Sequence, residues 1–460
     1  MSELGAWSSW ESDDGEPSVY DRGDAVCVIG AGSSGLAAIK NLRERGFSVD
    51  CYERETDIGG AWNWRHDRSP MYASTHLVSS KPMTQFPDFP LPDDWPDYIS
   101  HRQLLEYFGR YVDHFGLREH IWFGTEVHRL DPVGDGRWHV MIKAQGSHEL
   151  RVLRYNAVVV ANGHNWRPRH PEYPGLGRYQ GQVIHASAYK DSSVLKDRRV
   201  LVVGAGNTGC DIAVEAAQQA AKTWHSMRRG YWFAPKYSMG RPSDQVADRI
   251  HGLPLPLRMR QWILQAALRA TAGRPERFGL PKPDHRILES HPIVNSQLLY
   301  HLGHGQITPK PDVAEFEADS VVFADGSTAN PDLVVFATGY QPWFEFVDGA
   351  HLNADAAGRP QLHLNVFTPR HEGLFAAGLV QPDSGQFPLV HWQTVAIAEW
   401  LRACTDAPAR ARAFWPKVAS GAQRRWTQAK TIDSNRHWFE VSHHKYLKAL
   451  ERAINELASR

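Results

Sequence analysis

The chain has little of what marks a metal-binding, nucleic-acid-binding or membrane-spanning protein. Its four cysteines, Cys27, Cys51, Cys210 and Cys404, include no C-x-x-C pair, which argues against a zinc site or a dithiol redox centre. They suit a reducing cytosol. Net charge is also lacking, since 51 basic residues balance 51 acidic ones. That balance gives no support to a nucleic-acid or polyanion partner, which would need a clustered basic surface. No apolar run approaches the roughly 20 residues that span a bilayer. The first twenty residues are acidic and polar, unlike a signal peptide, and a soluble cytoplasmic protein is expected. Apart from two glycine-rich units there is no repeat. At 460 residues the chain exceeds one ordinary core, so two or more domains are expected.

Residues 1–22 carry Glu3, Glu11, Asp13, Asp14 and Glu16 among few aliphatic side chains, which predicts a disordered acidic tail. Residues 24–29 then form a short apolar run, the pattern of a buried parallel strand. The run ends at Gly30-Ala31-Gly32-Ser33-Ser34-Gly35, and a helix over 34–45 follows, stopping at Gly46. The next strand, 48–52, ends in Glu53. In this Rossmann arrangement Gly30 makes the turn, Gly32 lets backbone approach a pyrophosphate and Gly35 lets helix pack on strand. Glu53 would accept from a ribose hydroxyl. A tight turn in another α/β protein is the bland alternative.

A second unit, Gly204-Ala205-Gly206-Asn207-Thr208-Gly209, lies between a strand over 200–203 and a helix over 208–219. Its next strand ends in Ser226-Met227-Arg228-Arg229, where an acidic residue would suit NAD. Two guanidinium groups suit a 2′-phosphate instead, which assigns NADPH here; a solvated arginine pair is the alternative.

Between the two units runs Tyr179-Gln-Gly181, then His185, then Tyr189-Lys190. This spacing resembles the signature of the flavin-containing monooxygenases, with Tyr179 in place of the usual phenylalanine. Baeyer-Villiger monooxygenases carry a related stretch ending in Trp-Pro, where Tyr189-Lys190 stands here. Without the resemblance the stretch reads as a linker, with His185 bonded to backbone. Asp57-Ile58-Gly59-Gly60-Ala61-Trp62 resembles the second FAD-contacting loop of two-dinucleotide flavoproteins, so the first site is expected to hold FAD.

The resemblance implies an α/β fold of two Rossmann-like dinucleotide-binding domains, like glutathione reductase. Residues 23–167 and 341–460 would bind FAD, and 168–340 would bind NADPH, with a helical insertion at about 235–292. The cofactor-binding residues it implies are Gly30, Ala31, Gly32, Ser33, Ser34, Gly35, Glu53, Arg54, Gly60, Ala61, Trp62, Asn162 and Gln381 on the flavin side. On the nicotinamide side they are Gly204, Gly206, Asn207, Thr208, Gly209, Asp211, Ser226, Arg228, Arg229 and His185. Such enzymes use NADPH and O2 to form a C4a-hydroperoxyflavin, which oxygenates a small amine or sulfide. Baeyer-Villiger oxidation of a ketone is the alternative, and a non-catalytic flavin and NADP sensor is a reading of another class. A homodimer is left open.

One position departs from the family. In Tyr72-Ala-Ser-Thr-His76-Leu-Val78-Ser79 the place of the usual active-site asparagine is taken by Val78, which donates no hydrogen bond. Ser79 and His76 are the candidate substitutes. Elsewhere, helices are expected over 101–115, 258–272, 389–404 and 424–457, and a small antiparallel meander over 125–153.

Overall fold

The computed structural model describes residues 19–421, 426, 427, 429 and 438–458. Two parallel five-stranded sheets dominate it. The first has the order Leu374–Ala376, Ala157–Val160, Val26–Ile29, Val49–Tyr52, Ile121–Trp122. The second has the order Gln182–His185, Leu333–Phe336, Arg199–Val203, Lys222–Ser226, Ile307–Lys310. Every residue of Val26–Ile29 is buried, as are all but the first of Arg199–Val203, because helices and loops cover both faces of such a sheet. In each sheet the chain leaves the central strand to one side and later returns on the other. That reversal opens a crevice beyond the carboxyl ends of the strands, where open α/β sheets bind ligands.

Each central strand runs into its glycine turn and then a helix, Ser33–Arg43 in the first unit and Asn207–Gln219 in the second. Helix Ser33–Arg43 packs along helix Phe387–Asp406, fixed by a 2.8 Å bond from Asn41 Nδ2 to Thr394 Oγ1. Helix His101–Phe115 falls on its expected residues. It opens with a capping box between Ser100 and Gln103, and Gly116, at φ 62°, closes it.

Two expectations are corrected. Residues 19–22 are not tail: Val19–Asp21 pairs in parallel with Leu150–Tyr155 at the edge of the meander. Asp21 meets Arg137 at 3.0 Å and Arg22 meets Asp50 at 2.8 Å, so partners on the folded body hold these charges. Residues 1–18 lie outside the described residues. The helix expected over 424–457 begins only at His443, running His443–Leu457. Ahead of it strand Glu440–Val441 pairs with Gln381–Pro382, and 422–425, 428 and 430–437 lie outside the described residues.

The insertion holds two helices, Ser243–Gly252 and Leu257–Thr271, of which only the second is legible from its apolar spacing. Among the described residues no helix is long and apolar enough to cross a membrane.

Candidate active site

A cleft opens where strand Val26–Ile29 ends. At Gly35 an added Cβ would lie 1.8 Å from the carbonyl oxygen of Gly30, so only glycine lets the helix sit this close to the turn. Across the cleft mouth Gly32 faces Gly60, whose own Cβ would come within 3.1 Å of the Gly32 Cα. The two bare backbones form a cradle. Of the residues expected at the flavin, Gly30, Gly32, Ser33, Ser34, Glu53, Arg54, Gly60, Ala61, Trp62 and Asn162 line this cleft. Ala31 is wholly buried beneath it.

Glu53 is buried and accepts from the amide of Ala31 at 2.6 Å and that of Glu55 at 2.9 Å. Burial pushes its carboxyl above the ordinary value, against the pull of those two amides. It therefore ties the second strand to the glycine turn while keeping lone pairs for a hydroxyl donor. The Arg54 guanidinium lies 4.6 Å from the Trp166 ring centroid and 3.6 Å from Glu345. Ser69 donates to the Ala61 carbonyl at 2.7 Å, and Lys190 donates in turn to the Ser69 carbonyl. The linker signature thus reaches the flavin loop through an ammonium group.

Several polar atoms in this lining have no partner among the described residues: Asn162 Oδ1, Trp166 Nε1 and both ring nitrogens of His66. Buried polar atoms are almost always bonded in folded proteins. A cradle of bare glycine backbone ringed by unpaired donors and acceptors fits a dinucleotide. The cleft also contains His164, whose burial lowers it to about 4, and Gln386, at the N-terminus of helix Phe387–Asp406. That end carries the positive pole of the helix. Gln381, expected at the flavin, stands outside the lining. Its amide donates to the Phe439 carbonyl at 2.7 Å in the short strand pair, and the glutamine facing the cleft is Gln386. His66, Trp166 and Gln386 were not singled out from sequence; the signal available for His66 was its place four residues after Trp62.

The second turn has the same backbone and different surroundings. Gly209 would put a Cβ 2.2 Å from the Gly204 carbonyl oxygen, whereas a Cβ on Gly206 would meet nothing within 4 Å. The side chains around it bond to protein. Asn207 Oδ1 accepts from the Val294 amide at 3.0 Å. Asp211 accepts from Tyr72 at 2.9 Å and from Asn295 at 2.7 Å. Ser226 donates to the Pro311 carbonyl at 2.7 Å. Arg229 is paired with Asp284 at 2.8 Å. Arg228 is exposed and in no ion pair among the described residues. His185 is buried, its ring bonded to the Gly339 carbonyl at 3.1 Å and to Ser187 at 3.0 Å, and burial lowers it to about 4. Those bonds match the backbone-bonded reading of the linker.

Segment 72–80 bridges the two halves. Besides Tyr72 and Asp211, Ser74 and Tyr189 both donate to Glu215, and the Ser80 amide donates to Asp244 at 2.6 Å. On this bridge Val78 is 40% exposed. His76 is exposed, its Nδ1 2.7 Å from the Ser74 carbonyl, and the Ser79 hydroxyl is 2.7 Å from that of Thr84. None of the three lines the first cleft.

The sequence model of a family described as flavin-binding monooxygenase-like matches residues 23–457. The chain is 34% identical over 387 residues to the dimethylaniline monooxygenase (N-oxide-forming) 2 of Rattus norvegicus, covering 80% of this chain and 71% of that protein. Among solved structures, the S-allyl-L-cysteine S-oxygenase of Allium sativum superposes with a TM-score of 0.64 at 21% identity, over 95% of this chain and 89% of that one. The NADP+-bound cyclohexanone monooxygenase of Rhodococcus sp. Phi1 superposes with a TM-score of 0.66 at 21% identity, over 96% and 97% of the two chains.

Proposed function

As a member of the flavin-binding monooxygenase-like family, the chain is an FAD- and NADPH-dependent monooxygenase, and we propose that it oxygenates soft nitrogen or sulfur nucleophiles. Residues 23–167 and 341–460 bind FAD in this reading, and 168–340 bind NADPH. FAD, when bound, supplies the electron transfer and oxygen activation. The protein supplies positions. The amides of the first glycine turn and the positive end of helix Phe387–Asp406 face an anionic ligand. Arg228 is the cation at hand for a 2′-phosphate. Segment 72–80, bonded to both halves, carries His76 and Ser79, the donors beside the position where the resemblance puts an active-site asparagine.

The observation that carries the substrate class is the seating of Tyr189-Lys190. Tyr189 is fully buried on Glu215, and Lys190 is bonded to the Ser69 carbonyl beside the flavin loop. These two residues stand where the ketone-oxidising relatives carry Trp-Pro. The N-oxide-forming relative supports the same class. Product analysis with one alkyl aryl sulfide, one tertiary amine and one cyclic ketone tests it. Sulfoxide or N-oxide is expected, with NADPH and O2 consumed. Lactone from the ketone, with neither sulfoxide nor N-oxide, overturns it.

A further inference from the structure

His66 stands in the loop that follows Gly60, one wall of the glycine cradle. Its backbone is fixed on both sides, its amide donating to the Asn63 carbonyl at 3.1 Å and its carbonyl accepting from the Ser69 amide at 3.0 Å. Asn63 anchors the loop again through a 2.8 Å bond to the Ile58 carbonyl. The residue is only 8% exposed and lines the flavin cleft, and neither ring nitrogen has a partner among the described residues. Leaving a buried polar group unsatisfied is destabilising, so the fold alone gives no reason to keep this one.

Burial lowers the imidazole, against the pull of Glu55 and Asp57, which favours its neutral form. A neutral imidazole has one N–H and one lone pair, on opposite sides of the ring. It therefore needs two partners of different kinds, one accepting and one donating. A pyrophosphate offers acceptors only, which suits one nitrogen of the neutral ring. A chain in which phosphate oxygens and sugar hydroxyls alternate offers both.

We propose that His66 is a direct ligand of the sugar-phosphate spine of FAD, giving its N–H to a phosphate or hydroxyl oxygen and accepting a hydroxyl hydrogen on its other nitrogen. The inference rests on the assignment of this cleft to FAD and names a ligand that neither the glycine pattern nor the family signature contains.

The experiment follows flavin fluorescence as the holoenzyme is diluted, giving a Kd for wild type, His66→Phe and His66→Asn, together with melting temperatures of the full chain with FAD saturating and with FAD removed. Phenylalanine fills the ring's volume and makes neither bond; the asparagine amide has one donating and one accepting end. His66→Phe is expected to raise the Kd about tenfold or more, and His66→Asn to stay within about threefold of wild type. With FAD removed, His66→Phe should melt at or above wild type, because it takes away two unpaired buried nitrogens. A His66→Phe enzyme that holds FAD as tightly as wild type overturns the proposal. So does one that melts lower than wild type without FAD, which makes the histidine a packing residue. A wild-type chain that retains no FAD at any concentration breaks the cofactor assignment itself, a different result from either.

Discussion

Around the first glycine turn three side chains keep unpaired polar atoms, whereas around the second most of the side chains expected at the ligand are bonded to the protein. Asn162, Trp166 and His66 hold open donors and acceptors in the first cleft. At the second turn Asn207, Asp211 and Ser226 each bond to another part of the chain, and Arg229 is paired with Asp284. What remains there for a ligand is glycine backbone and Arg228. A shared G-x-G-x-x-G pattern therefore specifies the same backbone twice and says nothing about which neighbouring side chains the ligand receives. One of these side chains, Asp211, also serves the junction between the halves through Tyr72, while the other bonds stay within the second half.

The largest effect expected from this contrast separates the two roles of glycine. Gly35→Ala places a Cβ 1.8 Å from the Gly30 carbonyl oxygen, beyond what small adjustments absorb, and should cost about 3 kcal/mol or more. The purified variant should be colourless or insoluble. Gly206→Ala has open space and an ordinary φ of −69°, so its melting temperature should match wild type while the Kd for NADPH rises, because only the pyrophosphate needs that space. Equal loss of stability in both variants would break the distinction.

Next in size is Arg228→Ala. Loss of one charge-assisted contact costs about 1.5 to 3 kcal/mol, so kcat/KM for NADPH should fall at least tenfold while that for NADH holds. Arg229→Ala, whose guanidinium is bound to Asp284, should change the ratio of the two cofactors less. If the two variants exchange these behaviours, Arg229 leaves its carboxylate to read the phosphate.

A smaller effect is shared by both halves. His164 beside the first turn and His225 beneath the second are buried and lowered by burial to about 4 from an ordinary 6.5. The unfolded chain then binds protons that the folded chain refuses between those values. Stability is full above about 6.5 and is lost as pH falls toward 4. Each histidine should contribute roughly 1 to 2 kcal/mol of loss between pH 7 and pH 5. His225 also donates to the Gly204 carbonyl at 2.8 Å, so His225→Phe should cost about 1 kcal/mol at pH 7 yet flatten the pH dependence. Urea midpoints at the two pH values measure it, and an unchanged slope in the variant would show that His225 is not the group titrating.

Much of this was legible in the sequence because it depends on local pattern. The apolar run into Gly30 and the helix behind it give the first unit, and Ser100 with Gln103 and Gly116 bounds helix His101–Phe115. What was not legible depends on distant partners. Nothing local says that Asp211 will meet Tyr72, 139 residues away, and so be taken from the ligand. The same holds for Asp21, whose partners Arg137 and Arg154 lie in the meander. Gln381 and Gln386 are chemically alike and five positions apart. Only the strand pair with Glu440–Val441 decides which one turns to the cleft.

The smallest and most discriminating effect concerns Val78, on the segment that belongs to both halves. An apolar residue here removes a donor from the place where the resemblance puts an asparagine, which should let the enzyme release hydrogen peroxide, O2 taking two electrons from NADPH and two protons, when no substrate is present. A donor meeting developing charge in a dry site is worth about 2.7 to 4 kcal/mol. Val78, however, is 40% exposed, and beside water a hydrogen bond contributes only about 0.5 to 1.5 kcal/mol. Val78→Asn should therefore lower the hydrogen peroxide released per NADPH by roughly two- to tenfold, without moving the Kd for NADPH. Ser79 offers the competing donor: its hydroxyl lies 2.7 Å from that of Thr84, whose own hydrogen goes to the Ser80 carbonyl, so Ser79 gives its hydrogen to Thr84 and must turn from it to serve a ligand. If Val78→Asn leaves peroxide release unchanged while Ser79→Ala raises it, the donor's role has moved one residue along the segment. If neither variant changes it, the bridge between the two sites positions the halves and takes no part in holding oxygen.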